Sequence, residues 1–135
     1  PVWAFDAATG EFLDFYGRTD NYASGGLTLV FGWGGATATT GSAVLRAAIR
    51  AIPSDAEQLT VTQHAYDFNS VTATGPNLTG EIIYSTITFT SGADMDNLGN
   101  NEAFILRVNR NATATGDDMG GLVYLHDGAI TLKET

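Results

Sequence analysis

The stretch GGLTLVFGWGGATATTGSAVLRAAIRAI, residues 25–52, decides the fold. Successive side chains of an extended strand point to opposite faces, so Leu27, Leu29, Phe31 and Trp33 share one face. Beyond a loop of Gly, Ala, Thr and Ser, Leu45, Ala47 and Ile49 share one face and Arg46, Ala48 and Arg50 the other. The two runs read as an antiparallel pair, apolar on one side and wet on the other. Glycines inside the first run, Gly32 and Gly34, mark a bulge or a close approach of backbone.

The same alternation recurs along the chain. Strands are expected at residues 2–5 and 11–16, either side of a hairpin or corner at 6–10, and then at 59–66. Residues 67–77 read as a longer β-rich connection. In the strand at 80–90, Ile83, Ser85, Ile87 and Phe89 face one way while Ile82, Tyr84, Thr86 and Thr88 face the other. Further strands follow at 102–109, with Phe104, Leu106 and Val108 on the core face, and at 122–132. Helix is limited to single turns: one at 53–57 with a Ser54/Glu57 capping box, one at 94–98 with Asp94 as N-cap and Gly99 as stop. About eight short strands at close spacing specify an all-β protein, an antiparallel β-sandwich of jelly-roll type. Its 135 residues form a single domain, 1–135, large enough to bury about two-thirds of the extended chain's surface.

Composition narrows the function. The chain has no cysteine, which excludes disulfides, thiolate metal sites and cysteine nucleophiles. A net charge of −9, with one lysine and five arginines, argues against nucleic acid and anionic membrane as partners. The sequence contains neither the ~20-residue apolar run of a membrane helix nor a basic-then-apolar stretch of leader type. His64 and His126 stand alone, without metal-ligand spacing. Asp94, Asp96 and Asn97, or Asp117 and Asp118, offer oxygens to calcium but lack the EF-hand spacing. Gly116-Asp117-Asp118 reads instead as a solvated turn. Glu11, Asp14, Glu81 and Glu102 lie on strands as the carboxylates a glycosidase would need, in a domain too small for a sugar cleft. A Gly-x-Ser-x-Gly elbow is absent as well. The reading is a non-enzymatic chain with no catalytic residue, no cofactor and no metal site. Among the aromatics, Trp33 alternates in phase with the core, whereas Trp3, Tyr22 and Tyr66 are free to act as a sugar-stacking platform. Arg46 and Arg50 read either as a solvated strand face or as cations for an acidic neighbouring subunit.

The runs YASGGLTLVFGWGGATATTGSAVLRAAI and ITFTSGADMDNLGNNEAFILRVNRNATATGDDMGG resemble small structural proteins of tailed bacteriophages. The shared elements are Ala38-Thr39-Thr40-Gly41, Thr88-Phe89-Thr90, residues 92–96 and the strand 104–108. The resemblance implies a capsid decoration (cement) protein: a self-associating jelly roll, a homotrimer on the head, bound to the major capsid protein or another virion protein. It implies a virion location, with assembly in the bacterial host cytoplasm. Contact candidates are Arg46, Arg50 and, near the N-terminus, Trp3 and Phe5. The alternative is a carbohydrate-binding module or the sugar-binding tip of a phage fibre or tail protein, with a glycan as partner.

Overall fold

A computed structural model describes residues 2–8, 10–37, 40–52 and 65–135, and among these alternating side chains build eight strands. The strands are β1 (Val2–Phe5), β2 (Phe12–Arg18), β3 (Leu27–Gly35), β4 (Ser42–Ile52), β5 (Asn69–Thr74), β6 (Ile83–Phe89), β7 (Ala103–Arg110) and β8 (Val123–Glu134). A 3-10 turn, Ala93–Met95, is the only helical element among the described residues.

The strands form two four-stranded antiparallel sheets, in the orders β1-β8-β3-β6 and β2-β7-β4-β5. The strands pair as nested couples, the innermost consecutive and the others increasingly distant in the chain: β4 with β5, β3 with β6, β2 with β7, β1 with β8. Successive couples fall in alternate sheets, and the β3–β8 and β4–β7 ladders complete each sheet. This is the jelly roll. The expected pairing of the two runs within residues 25–52 is thereby corrected. Strands β3 and β4 lie in different sheets and present their apolar faces to each other across the core. Both runs are apolar on one face, and two such faces hide more surface packed together than laid side by side.

Leu27, Leu29, Phe31 and Trp33 meet Leu45, Ala47 and Ile49 in that core, with Leu106, Val108, Ile87, Phe89, Val123 and Leu125. Trp33 is fully buried, and its indole N–H donates to Ser85 Oγ at 2.9 Å across the sheet. The partner matters because a buried N–H without an acceptor costs about 1–3 kcal/mol. At Gly32 the register with β8 shifts between Phe31 and Trp33. A Cβ there would come within 2.6 Å of Ala129 Cβ, so this glycine marks both a bulge and a close approach.

Three local expectations are revised. Strand β5 occupies residues that read as connection, while the strand at 59–66 falls mostly, and the turn at 53–57 wholly, outside the described residues. The N-cap of the 3-10 turn is Gly92, not Asp94, and no side chain caps it. Asp94 Oδ2 instead accepts from the Thr90 N–H at 2.6 Å and from Asn69 Nδ2 at 3.0 Å.

The third revision concerns Gly116-Asp117-Asp118, which is no solvated turn. Arg110 continues the inward phase of Leu106 and Val108, and its side chain is 1% exposed against 2% for Asp117. Its Nε and Nη2 donate to Asp117 Oδ2 and Oδ1 at 2.9 and 2.6 Å. Nη1 donates to the Gly121 carbonyl at 2.6 Å, and Nη2 also to that of Met119. Asp117 Oδ2 accepts in addition from the Val44 N–H at 3.0 Å. Arg110→Met strands the buried carboxylate and is expected to cost about 3–5 kcal/mol, because breaking one side of a buried pair leaves an uncompensated charge. The Arg110→Met/Asp117→Asn double variant is expected to lose less than the sum of its single variants. Urea unfolding of all four proteins checks this, and strict additivity would refute a coupled pair.

Candidate functional site

The outer face of the β2-β7-β4-β5 sheet gathers four of the chain's six cations, Arg18 at the end of β2 with Arg46, Arg50 and Arg107. Arg46, Ala48 and Arg50 point outward from β4, and Arg107 lies opposite Ala48 on β7. Asp14 lies opposite Arg107 on β2. The guanidinium donates from Nε and Nη2 to the two Asp14 oxygens, both at 2.8 Å, in a planar fork. Residues 65–68 bring Tyr66 and Phe68 over this sheet. Arg107 Cζ lies 3.7 Å from the Phe12 ring centre and 4.0 Å from that of Tyr66. Tyr66 stacks on Phe68 with centroids 6.1 Å apart, and Arg46 Cζ lies 4.3 Å over Phe68. Arg46 Nε is fixed by Asn109 Oδ1 at 2.8 Å.

The side chains thus form one row: Phe12, Arg107, Tyr66, Phe68, Arg46. Each guanidinium rests on a negative ring face, and each is oriented by a neutral or acidic partner. The Asp14 hydrogen bond raises the Arg107 pKa above its ordinary value, outweighing the opposing effect of burial. Arginine is protonated in any case, so the row keeps its charge at every working pH. Such a surface offers rigid rings and fixed donors for contact.

Of the four contact candidates read from sequence, the structure leaves two at the surface. Arg46 is half-buried, and Trp3 is half-buried with its ring edge-on to Phe15 at 5.4 Å. Phe5, 2% exposed, belongs to the core, and Arg50 is 8% exposed. The expected wet face of β4 is therefore largely covered: Ala48 is fully buried between neighbours that carry Tyr66 and Phe68. Tyr22, a candidate sugar platform, is buried as well, its hydroxyl accepting from the Gly26 N–H at 3.1 Å. The sequence reading passed over Phe12, Phe68 and Arg107. A signal existed for Arg107, which sits out of phase with Phe104, Leu106 and Val108 and so must point away from the core.

Three of the four candidate carboxylates, Glu11, Asp14 and Glu102, are dispersed and bound to main-chain or arginine donors, and Asp118 is bound in the same way. Glu102 takes the Gly99 N–H at 2.6 Å and Asp118 the Ser42 N–H at 2.6 Å, while Glu11 takes that of Asp6 at 3.0 Å. Glu102 adjoins Thr19, whereas Asp14 sits on Arg107, roughly 17 Å further along β2 at a strand's rise per residue. Among the described residues no group of three or more His, Asp or Glu converges as a metal site. No described helix is long and apolar enough to cross a membrane.

Comparison with protein-family models, with curated proteins and with solved structures returned no match. The site is therefore read from its own geometry. Arg107→Lys keeps the charge but loses the fork to Asp14 and the flat contact with two rings. It is expected to destabilise the fold by about 1–2 kcal/mol. Urea unfolding measures the difference, and unchanged stability would mean that the row adds nothing beyond charge.

Proposed function

We propose that this chain is a non-enzymatic structural protein of a tailed-phage virion, a decoration protein that seats its jelly roll on the head surface and associates with itself. The phage assignment rests on the resemblance carried by residues 22–49 and 87–121. The single observation that supports a binding role is the Phe12–Arg107–Tyr66–Phe68–Arg46 row. Aromatic rings and arginine are the residues that dominate the energetics of protein interfaces. Here they are ordered before any partner arrives, which lowers the entropic cost of docking. With Arg107 already paired to Asp14, Arg46 supplies the row's net positive charge in a chain of net charge −9, so its complement is an acidic, partly apolar patch on the major capsid protein or another virion protein.

A second reading, a sugar-binding module or fibre-tip domain, draws on Tyr16 and Tyr84, which are 76% and 67% exposed. Rings so open to solvent could stack on a glycan, whereas Trp3 and Tyr66 already contact other side chains.

Co-sedimentation with expanded heads of the phage that encodes the chain tests the proposal. Phe12→Ala/Phe68→Ala is expected to weaken head binding by about 30-fold or more, the scale of one interface hot spot. Absence of binding by the unaltered protein overturns the decoration role. Binding insensitive to the double variant overturns this face as the contact. A glycan array that responds to Tyr16→Ala or Tyr84→Ala would decide for the second reading.

A further inference from the structure

We infer that two copies of this chain associate through their β2 strands, edge to edge and antiparallel, making one continuous eight-stranded sheet. The inference deepens the self-association in the proposed function and does not depend on the head surface.

The main-chain hydrogen bonds at the ends of β2 and β7 show which backbone groups β2 leaves open. The Thr19 N–H donates to the Glu102 carbonyl at 3.0 Å, so position 19 directs its main-chain groups toward β7. Main-chain groups alternate sides along a strand, so Leu13, Phe15 and Gly17 also face β7. The Asn111 N–H donates to Val44, which turns Arg107 and Asn109 toward β4 and Leu106 and Val108 toward β2, in agreement. The N–H and C=O groups of Phe12, Asp14, Tyr16 and Arg18 therefore point out of the sheet. No described strand pairs with them.

An open edge is ordinarily blunted by Pro, Lys, a bulge or short length. The other edges are managed. Strand β1 has four residues. Strands β5 and β6 are stitched together by Asn69, whose Nδ2 donates to the Thr88 carbonyl at 2.9 Å and to Asp94. Strand β2 runs seven residues in unbroken register, without Pro or Lys. On its outer face Phe12 is 53% and Tyr16 76% exposed.

The occupant follows from the strand's own sequence. A two-fold axis through Phe15 overlaps all seven residues and brings the outward-pointing positions opposite one another. Phe12 then faces Arg18 of the second copy, and Asp14 faces Tyr16. The arrangement puts a cation beside an exposed ring and a hydroxyl beside a carboxylate. Shifting the axis to Asp14 would oppose two like charges, and shifting it to Tyr16 shortens the overlap. The strand is thus complementary to itself in one register. A two-fold takes the place of the three-fold implied by the phage resemblance.

Sedimentation equilibrium on the full chain tests the inference. The expected mass is twice the 14.2 kDa of one chain. Tyr16→Lys, at an exposed position, is expected to give monomers with an unchanged far-ultraviolet spectrum. Tyr16→Pro should do the same, since it removes an N–H that β7 does not use. Hydrogen exchange supplies a readout without mutation: the Asp14 and Tyr16 amides should be protected in concentrated protein and exchange quickly on dilution. A monomer at every concentration, a trimer, or a dimer that survives Tyr16→Lys with those amides unprotected would overturn the pairing. A monomer that still binds heads overturns this inference alone. A dimer that ignores heads overturns the proposed function alone.

Discussion

Arg110 is the constraint on which the rest of the sandwich depends. It stands at the end of β7 on the inward face, where Leu106 and Val108 would be followed by another aliphatic side chain. A guanidinium there is tolerable only if every donor finds an acceptor in the dry interior. Asp117 and the carbonyls of Met119 and Gly121 give each of the three guanidinium nitrogens an acceptor. The loop between β7 and β8 therefore cannot take any other path without stranding a charge. Met119, 2% exposed, is drawn into the core by the same path.

The consequence reaches the opposite side of the loop. Asp117 and Asp118 also accept from the Val44 and Ser42 N–H groups, and the Asp118 and Met119 N–H groups donate to the Ser42 carbonyl. These bonds fix where β4 begins. The start of β4 sets the crossover from β3, and the crossover separates the two apolar runs into facing sheets. One buried ion pair thus couples the loop that closes the core to the strands that fill it. Buried ion pairs are poor sources of net stability but strong specifiers of a single arrangement in some proteins. The connectivity here fits that second role.

Much of this was legible in the sequence wherever alternation was strong. Strands β3 and β6 read correctly to the side chain, because Leu, Phe and Ile alternate with Thr and Gly. The sandwich followed from strand count and turn spacing. Strand β5 was not legible: Asn-Ser-Val-Thr-Ala-Thr has only Val71 and Ala73 to face inward, a pattern too weak to stand out from a loop. Partnering was not legible either, since alternation fixes faces but not neighbours, and β3 and β4 look like a hairpin until the chain-distant pairs are known. Arg110 was within reach, being in phase with Leu106 and Val108 with two aspartates a loop away. The arginine face was half readable. Arg46 and Arg50 show as outward cations, but only the tertiary path of residues 65–68 lays rings over Arg107 and Arg46.

The position of the candidate surface follows from the topology itself. Nested pairing leaves β1 and β2 at one flank of the sandwich and β5 and β6 at the other. Strands β5 and β6 are consecutive in the chain, so a single side chain such as Asn69 can bridge them and occupy a main-chain carbonyl. At the other flank the sheets meet through the rings of Trp3 and Phe15. A ring contact closes the core but satisfies no main-chain group. Strand β2 consequently serves three directions at once. Leu13 and Phe15 pack inward, Phe12 and Asp14 hold Arg107 on the outer face, and the alternate N–H and C=O groups remain directed outward from the edge. Gly17 keeps the strand close to β7 where a Cβ would come within 2.6 Å of the Phe104 ring. Among the described residues the Trp3–Phe15 contact and the Glu11 hydrogen bond to the Asp6 N–H close this flank, and neither occupies the outward main-chain groups of β2.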